Sequence, residues 1–220
     1  YPFDTLASHI IGFAKADGEG TYGIEQQYNS QLTGINGRTY DYYDSDLTVQ
    51  HKEIPPKDGN VIVSTIDANL QRIVQKYTEG FLDEIGAKNV GVLLMDVNTA
   101  EVLAMQSNYS YNLNSPRDLS KWYSEEEIKA MDSEAQLNAL YKVWRNFCIS
   151  DSYEPGSTFK PFTVASAIEE AVINTEETFL CNGGEEVAGF FISCHNEWGH
   201  GLINAAQSIM HSCNDALMEI

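Results

Sequence analysis

The spacing of apolar residues predicts an amphipathic helix after residue 67. Asp67 is a good N-cap, because its side chain can accept a hydrogen bond from the first free N–H groups of a helix. Apolar residues then recur at intervals of three and four positions, at Leu70, Ile73, Val74, Tyr77, Phe81 and Ile85. We expect this stripe to face the core. The preceding apolar run, residues 61–66, predicts a strand.

Two further strand-like runs and several helices follow. Residues 90–97 and 101–107 predict an antiparallel hairpin that turns at Asn98-Thr99-Ala100. Two capping-box patterns predict helix starts, Ser124 with Glu127 and Ser133 with Gln136. The second opens a helix that carries Leu137, Leu140, Tyr141 and Trp144. Strands and helices in this order predict an α+β fold.

Residues 1–58 have a different pattern. They contain many tyrosines and the glycines Gly12, Gly18, Gly20, Gly23, Gly34 and Gly37, but few long apolar periods. This composition predicts short strands and turns. Pro55-Pro56 and Asp58-Gly59 indicate a linker. We therefore divide the chain into an N-terminal module, residues 1–58, and a larger domain, residues 59–220.

Charge and length limit the possible functions. The chain has 220 residues, 43% of them hydrophobic, which is enough for a buried core. Its 13 basic and 32 acidic residues give a formal net charge of −19, which argues against nucleic acid or an anionic membrane surface as a ligand. No run approaches the roughly 20 apolar residues of a bilayer-spanning helix. We interpret the chain as a segment of a longer protein.

The cysteines leave three alternatives open. None belongs to a Cys-x-x-Cys pattern, and they stand at Cys148, Cys181, Cys194 and Cys213. Cys181 and Cys194 flank a glycine-rich segment that could fold back as a hairpin and bring the two thiols together. The two cysteines could then form a disulfide, remain free thiols, or bind zinc with His195 and His200. We expect Cys148 to be a small core residue. We predict neither a metal nor another cofactor.

Ser157-Thr158-Phe159-Lys160 carries the strongest chemical signal. It follows the turn signal Pro155-Gly156 and precedes an apolar run over residues 161–168, so Ser157 should start a long buried helix with Lys160 one turn further on. A serine hydroxyl becomes a good nucleophile when a neighbouring base takes its proton. A lysine can be that base if burial lowers its pKa.

The whole run from Ser150 to Phe162, with Glu154-Pro155-Gly156 before Ser157, resembles the active-site segment of penicillin-binding proteins, the peptidoglycan DD-transpeptidases. Residues 20–34 resemble the segment that joins the N-terminal pedestal of class B members to their catalytic domain. Residues 91–105 resemble the first strands of the catalytic sheet, although Ala100 stands where the family usually has glycine. Near the end, His211-Ser212-Cys213-Asn214 resembles the second family motif, Ser-x-Asn.

The resemblance implies a role for each motif residue. Ser157 would attack the penultimate D-alanine carbonyl of a peptidoglycan stem peptide, with Lys160 as the base. Ser212 would relay the proton to the leaving amine, and Asn214 would bind the substrate amide. The fold would be that of the penicillin-binding transpeptidases and serine β-lactamases, here incomplete at its C-terminal strands and preceded by a remnant of the pedestal.

The third family motif, Lys-[Ser/Thr]-Gly, does not occur in this sequence. Lys57-Asp58-Gly59 does not match this motif, because its middle residue is aspartate and because it precedes Ser157. We therefore expect the 220-residue form to be catalytically poor or inert, since loss of an oxyanion donor costs about a hundredfold or more. We also expect an open sheet edge.

The resemblance also implies partners. They are stem peptides, β-lactams and a glycan polymerase, for a parent protein anchored to the membrane outside the cytoplasm by a segment absent here. The alternatives are a serine β-lactamase, a DD-carboxypeptidase, and a binding module that senses β-lactams or serves as an inert scaffold. Cys213 argues against a class A β-lactamase, where aspartate is usual, and so do residues 1–58.

Overall fold

The computed structural model describes residues 1–220 and divides into two compact units, Tyr1–Asp151 and Ser152–Ile220. The first unit contains α1 (Ser8–Ile11), β1 (Phe13–Ala14), β2 (Gly20–Thr21), α2 (Gly23–Gln27), α3 (Asn29–Leu32), β3 (Arg38–Tyr43), β4 (Val49–Ile54), α4 (Ala68–Ile85), β5 (Gly91–Met95), β6 (Val102–Ser107), α5 (Glu125–Ala130), α6 (Ser133–Trp144) and α7 (Phe147–Ser150). The second contains a 3-10 turn (Gly156–Phe159), α8 (Lys160–Glu169), β7 (Thr178–Cys181), β8 (Gly184–Val187), β9 (Phe190–Ser193), β10 (Gly201–Asn204), α9 (Ala205–Met210) and α10 (Asn214–Glu219).

The core of the first unit lies around α6. The predicted helix is present, and Leu140 and Trp144 on it are buried, whereas Leu137 is 40% and Tyr141 is 48% exposed. The Trp144 indole donates to the Pro116 carbonyl at 2.6 Å, which satisfies its polar atom inside the core. The cluster consists of Phe13, Tyr111, Leu113, Leu119, Ala139, Leu140, Val143 and Trp144.

Helix α4 begins as predicted but buries a different face. The Asp67 carboxylate accepts from the backbone N–H groups of Asn69 and Leu70. The predicted apolar stripe is wrong as a core face, since most of its residues are exposed. The reason is that Gln71 faces β6, where its side-chain amide exchanges two hydrogen bonds, both 2.9 Å long, with the backbone of Met105. This polar docking turns the stripe outward.

The predicted strand at residues 61–66 does not form. Val61 is 87% exposed and Val63 is 91% exposed, so the apolar run lies in solvent. Hydrogen bonds begin only at its end, where Thr65 Oγ1 donates to the Val102 carbonyl at 2.6 Å. A strand needs a neighbour to satisfy its backbone groups, and this segment lacks one.

The predicted hairpin is confirmed as β5 and β6, which pair antiparallel from Gly91 opposite Ser107 to Met95 opposite Val102. Ala100 in the turn has a φ of 61°, in the left-handed region that favours glycine. The turn therefore has a left-handed backbone conformation that suits glycine, and Ala100 adopts it with strain. The two strands pair only with each other, so the predicted open edge is present.

The two predicted capping boxes have different outcomes. Ser124 and Glu127 form one, with the Ser124 N–H donating to the Glu127 carboxylate at 2.8 Å. The second prediction is wrong, because Asp132 caps α6 by accepting from the Ala135 N–H at 2.8 Å. Aspartate is as good an N-cap residue as serine, and Asp132 stands directly before Ser133, so the helix begins one residue earlier than predicted.

The N-terminal residues form short elements, as predicted. Strands β1 and β2 pair with each other, and β3 and β4 form an exposed hairpin. Three short helices, α1 to α3, accompany them. The predicted division between residues 58 and 59 stays a prediction, and no break between compact units falls there.

The second unit consists of two antiparallel strand pairs and three helices. Strand β10 pairs with β7 from Gly201 opposite Cys181 to Asn204 opposite Thr178, and β8 pairs with β9 as a hairpin. Its core contains only a few large apolar side chains. The core consists of Val164, Phe179, Cys181, Cys194, Ile203, Ala205, Cys213 and Ala216.

The predicted long buried helix after Ser157 is shorter and more exposed than expected. It begins with the 3-10 turn and ends at Glu169. Only Val164 and Ala167 are buried on α8, whereas Phe162 is 64% exposed. One face of α8 therefore packs on its unit, and the apolar residues on the other face remain in solvent.

Candidate active site

Ser157 lies in the 3-10 turn that precedes α8. Gly156 has a φ of +57° and has no atom within 4 Å of the position of a Cβ, so backbone conformation and not crowding favours glycine here. The Thr158 hydroxyl donates to the Pro155 carbonyl at 2.6 Å and the Lys160 N–H donates to the Ser157 carbonyl. This turn leaves the Ser157 side chain exposed to solvent.

Lys160 is the centre of the site. Its ammonium donates to the Ser212 carbonyl at 2.6 Å, the Ser212 hydroxyl at 3.2 Å and the Asn214 side-chain oxygen at 2.7 Å. Burial lowers the pKa of Lys160, and the nearby thiols of Cys213 and Cys194 oppose this shift. Three acceptors match the three protons of an ammonium group, so the structure holds this lysine in a fixed position.

Ser212 reaches Lys160 because of the way α9 ends. Its φ is 48°, and its N–H donates to the Ile209 carbonyl at 2.9 Å. The next N–H, of Cys213, donates to the Ser208 carbonyl at 2.9 Å. This pair of bonds around a left-handed residue is the Schellman motif, in which glycine is the usual residue. Ser212 therefore bears backbone strain at a position that turns both of its oxygens toward Lys160.

Asn214 connects Lys160 to the β8–β9 hairpin. Its amide nitrogen donates to the Ser193 carbonyl at 3.0 Å, while its oxygen accepts from Lys160. The two contacts fix which end of the amide faces the lysine. Asn214 is the first residue of α10, and Cys213 caps that helix by accepting from the Ala216 N–H at 3.4 Å.

The structure brings together three of the four predicted site residues. Lys160, Ser212 and Asn214 are in direct contact, but no hydrogen bond joins the Ser157 hydroxyl to Lys160. Catalytic hydrogen bonds often tighten only when substrate binds. Beside Lys160 and Asn214 lies an open cleft of about 340 Å³, lined also by Gly156 and Ile192.

Sequence reasoning missed one polar residue that supports the site. The Asp215 carboxylate is buried and accepts from the backbone N–H groups of Asn182 at 2.7 Å and Gly184 at 3.2 Å. It thereby links α10 to the turn before β8. Its position directly after the Ser-x-Asn motif was the only available signal, because the two N–H groups belong to a distant loop.

The cysteines of the second unit are all buried free thiols. The predicted hairpin does bring Cys181 and Cys194 into the same core, but without a disulfide. Cys148, in the first unit, is half-buried and donates to the Gln106 carbonyl at 3.3 Å. It is therefore at the edge of a core instead of fully inside one.

The model of the penicillin binding protein transpeptidase domain matches residues 90–220, and the chain belongs to this family. It is 30% identical over 225 residues to stage V sporulation protein D of Bacillus subtilis, covering 100% of this chain and 32% of that protein. It is 31% identical over 176 residues to the peptidoglycan D,D-transpeptidase FtsI of Escherichia coli K12, covering 79% of this chain and 26% of that one. The chain thus spans about a third of these relatives or less.

Solved structures confirm the predicted fold class. The chain superposes on a peptidoglycan synthetase from Bifidobacterium adolescentis with a TM-score of 0.74 at 20% identity, covering 98% of this chain and 36% of that one. It superposes on penicillin binding protein 2X from Streptococcus thermophilus with a TM-score of 0.68 at 25% identity, covering 98% and 31%. None of the helices in this chain combines the length and hydrophobicity that crossing a bilayer requires.

Proposed function

We propose that this chain carries the nucleophile and the proton-transfer group of a serine DD-transpeptidase that cross-links peptidoglycan stem peptides and is acylated by β-lactams. The observation that carries the proposal is the triple contact of Lys160 with Ser212 and Asn214, one turn after Ser157. Relatives named as peptidoglycan D,D-transpeptidases support the same reaction.

Acylation begins when the Ser157 hydroxyl attacks the carbonyl carbon of the penultimate D-alanine or of the β-lactam ring. The hydroxyl proton passes to the neutral amine of Lys160, and the new Oγ–C bond forms as the C–N bond breaks. The lowered pKa of Lys160, caused first by burial, favours the neutral form that this step needs. The product is an acyl-enzyme ester on Ser157.

The partners of Lys160 support a proton relay through Ser212. The Ser212 carbonyl and the Asn214 oxygen can only accept hydrogen bonds, so both require a proton on Lys160. The Ser212 hydroxyl can also donate. It can therefore accept from Lys160 the proton that came from Ser157 while it gives its own proton to the leaving amine, which returns Lys160 to the neutral form. A second stem-peptide amine would resolve the ester into a cross-link.

The parent protein would act outside the cytoplasm, anchored to the membrane and working beside a glycan polymerase. This part of the proposal rests on the family resemblance. On this proposal the acceptor amine and the stem peptides would be in the same compartment as the site.

Mass spectrometry after exposure to a penicillin tests the proposal. In a longer polypeptide that also carries a Lys-[Ser/Thr]-Gly strand, we expect a mass gain of one drug molecule, lost in Ser157→Ala and kept in the matched control Ser152→Ala. The 220-residue chain should acylate about a hundredfold more slowly or not at all. Acylation that persists in Ser157→Ala, or that maps to another residue, contradicts the assignment.

A further inference from the structure

Four metal-ligating side chains converge in the core of the second unit. The sulfur atoms of Cys181, Cys194 and Cys213 and a ring nitrogen of His200 all lie within 4.8 Å of one another. The three thiols are at most 2% exposed. The four ligands come from separate places in the fold. Cys181 ends β7, Cys194 follows β9, His200 precedes β10, and Cys213 lies between α9 and α10. We propose that these four residues bind a structural Zn²⁺ ion, which ties the Ser-x-Asn motif to the β7–β10 strands.

The distances fit a tetrahedral site. With zinc–sulfur bonds of about 2.3 Å and zinc–nitrogen bonds of about 2.0 to 2.1 Å, two sulfur ligands lie about 3.8 Å apart, and a sulfur and a nitrogen lie about 3.6 Å apart. The Cys194 and Cys213 sulfurs are 3.8 Å apart. The His200 Nδ1 atom is 3.5 Å from the Cys181 sulfur and 3.6 Å from the Cys194 sulfur. A disulfide would instead need sulfurs about 2.05 Å apart.

The ligand set identifies the metal class. Three thiolates and one imidazole form a closed four-ligand set, which is typical of structural zinc. Binding converts three thiols to thiolates and releases three protons, and the resulting site has a net charge of −1. The Ala216 N–H points at the Cys213 sulfur at 3.4 Å, as a donor that stabilises a thiolate ligand should.

Close backbone packing brings His200 to the thiols. A Cβ on Gly199 would lie 2.2 Å from the Cys181 carbonyl oxygen, and one on Gly183 would lie 2.3 Å from the Glu197 carbonyl oxygen. Both glycines also have positive φ. Only glycine at these positions lets the loop before His200 lie directly on the turn after Cys181, so the local sequence builds the geometry that the ligands need.

The size of the unit gives the ion a structural role. A unit of fewer than about 70 residues rarely has enough buried apolar area for stability without a disulfide or a metal. In this unit the three thiols occupy the core beside Val164, Phe179 and Ile203. Bonds to Zn²⁺ would provide stability that the small apolar core of this unit does not.

The site would hold the second motif in place. Cys213 lies between Ser212 and Asn214, whose side chains both contact Lys160. A metal bond at Cys213 therefore fixes the backbone from which both contacts extend. The prediction that the protein has no metal is replaced by this proposal, and of the two histidines weighed in the sequence, His200 is a ligand whereas His195 lies outside the four-ligand cluster.

Metal analysis of the full 220-residue chain tests the site without any β-lactam. Purified under reducing conditions, the chain should contain one zinc per molecule, and the metal-free form should give the absorption of tetrahedral Co²⁺ thiolate when Co²⁺ is added. Cys181→Ser and His200→Ala should bind Zn²⁺ at least about 100-fold more weakly. The matched controls Cys148→Ser and His195→Ala should bind it as the unmodified chain does.

Thiol alkylation keeps the test decisive if a ligand variant does not fold. In the unmodified chain, Zn²⁺ should protect Cys181, Cys194 and Cys213 from alkylation and leave Cys148 unaffected, and a chelator should reverse the protection. Equal alkylation of all four cysteines with and without Zn²⁺ overturns the proposal. So does equal loss of Zn²⁺ in the control variants, or a Cys181–Cys194 disulfide in protein prepared with Zn²⁺.

Discussion

Replacing Ser212 by glycine or by alanine separates its backbone role from its hydroxyl role. Both variants lose the hydroxyl that accepts from Lys160 at 3.2 Å. Only glycine relieves the strain of a φ of 48°. Left-handed backbone costs a non-glycine residue about 1 to 2 kcal/mol, and the greater freedom of glycine in the unfolded chain returns about 0.4 to 1 kcal/mol of that.

The two variants should therefore differ in stability. Loss of the Lys160 hydrogen bond costs each about 1 kcal/mol, so Ser212→Ala should unfold about 1 kcal/mol more easily than the unmodified chain. Ser212→Gly should be close to the unmodified chain, because relief of strain offsets the lost bond. For a protein of this size, a difference of about 1 kcal/mol corresponds to a shift of about 2 to 4 °C in Tm. Urea and thermal unfolding of the 220-residue chain measure both quantities.

Acylation should not distinguish the two variants. If the Ser212 hydroxyl relays the proton, both should acylate about 10² to 10⁴ times more slowly than the unmodified protein. The assay is the rate of labelling by a fluorescent penicillin, in a polypeptide that also carries the third motif. Lower stability of Ser212→Gly than of Ser212→Ala would contradict the strain at Ser212, and acylation of either variant at close to the unmodified rate would contradict the relay.

Three other predictions follow from single residues. Lys160→Arg keeps the charge but cannot act as a base, so penicillin labelling should fall by at least about 100-fold while the fold persists, and near-normal labelling would contradict the role of Lys160. Ala100→Gly should raise the unfolding free energy by about 0.5 to 1 kcal/mol, because φ there is 61°; a lower Tm would refute this. Burial lowers the pKa of His9 to about 4, although its ring contacts the Val143 carbonyl and Glu79 opposes the shift. The unfolded chain therefore takes up a proton below about pH 6.5 before the folded chain does, and stability should fall by about 3 kcal/mol between pH 6.5 and pH 4; His9→Gln should flatten this fall in urea titrations at each pH.

The local motifs could be predicted from the sequence because each depends on neighbours in the chain. Ser157 and Lys160 are one turn apart, and the Asp67 cap and the hairpin turn at Ala100 also need only a few residues. Predicting the second motif required the family pattern, since Ser-x-Asn alone is too common to indicate a function.

The faces of the helices could not be predicted in the same way. Periodicity shows that α4 has an apolar stripe, but it does not show which face another element covers. Gln71 binds the Met105 backbone from a neighbouring face, on which Thr78 and Leu82 are also buried. A polar residue that pairs with backbone groups can therefore determine which side of the helix is buried, against the hydrophobic pattern.

The complete cluster could not be predicted from the sequence for a related reason, although zinc binding by Cys181, Cys194, His195 and His200 was one of the three alternatives for the cysteines. The spacing of Cys181, Cys194 and His200 matches no short zinc pattern, and the fourth member of the cluster, Cys213, lies inside the Ser-x-Asn motif. Only the pairing of β7 with β10 and the packing of Gly199 on Cys181 bring these residues together.

The tripeptide at residues 212–214 shows how one short segment serves both the core and the site. The side chains of Ser212 and Asn214 contact Lys160, while the Cys213 side chain between them is fully buried and caps α10. Removing Ser212 or Asn214 deletes one contact of the lysine. Displacing Cys213 moves the backbone that carries both contacts, so the residue that touches neither substrate nor Lys160 by hydrogen bonds controls the geometry of the two that do. The middle position of this motif is therefore where stability and acylation are expected to change together.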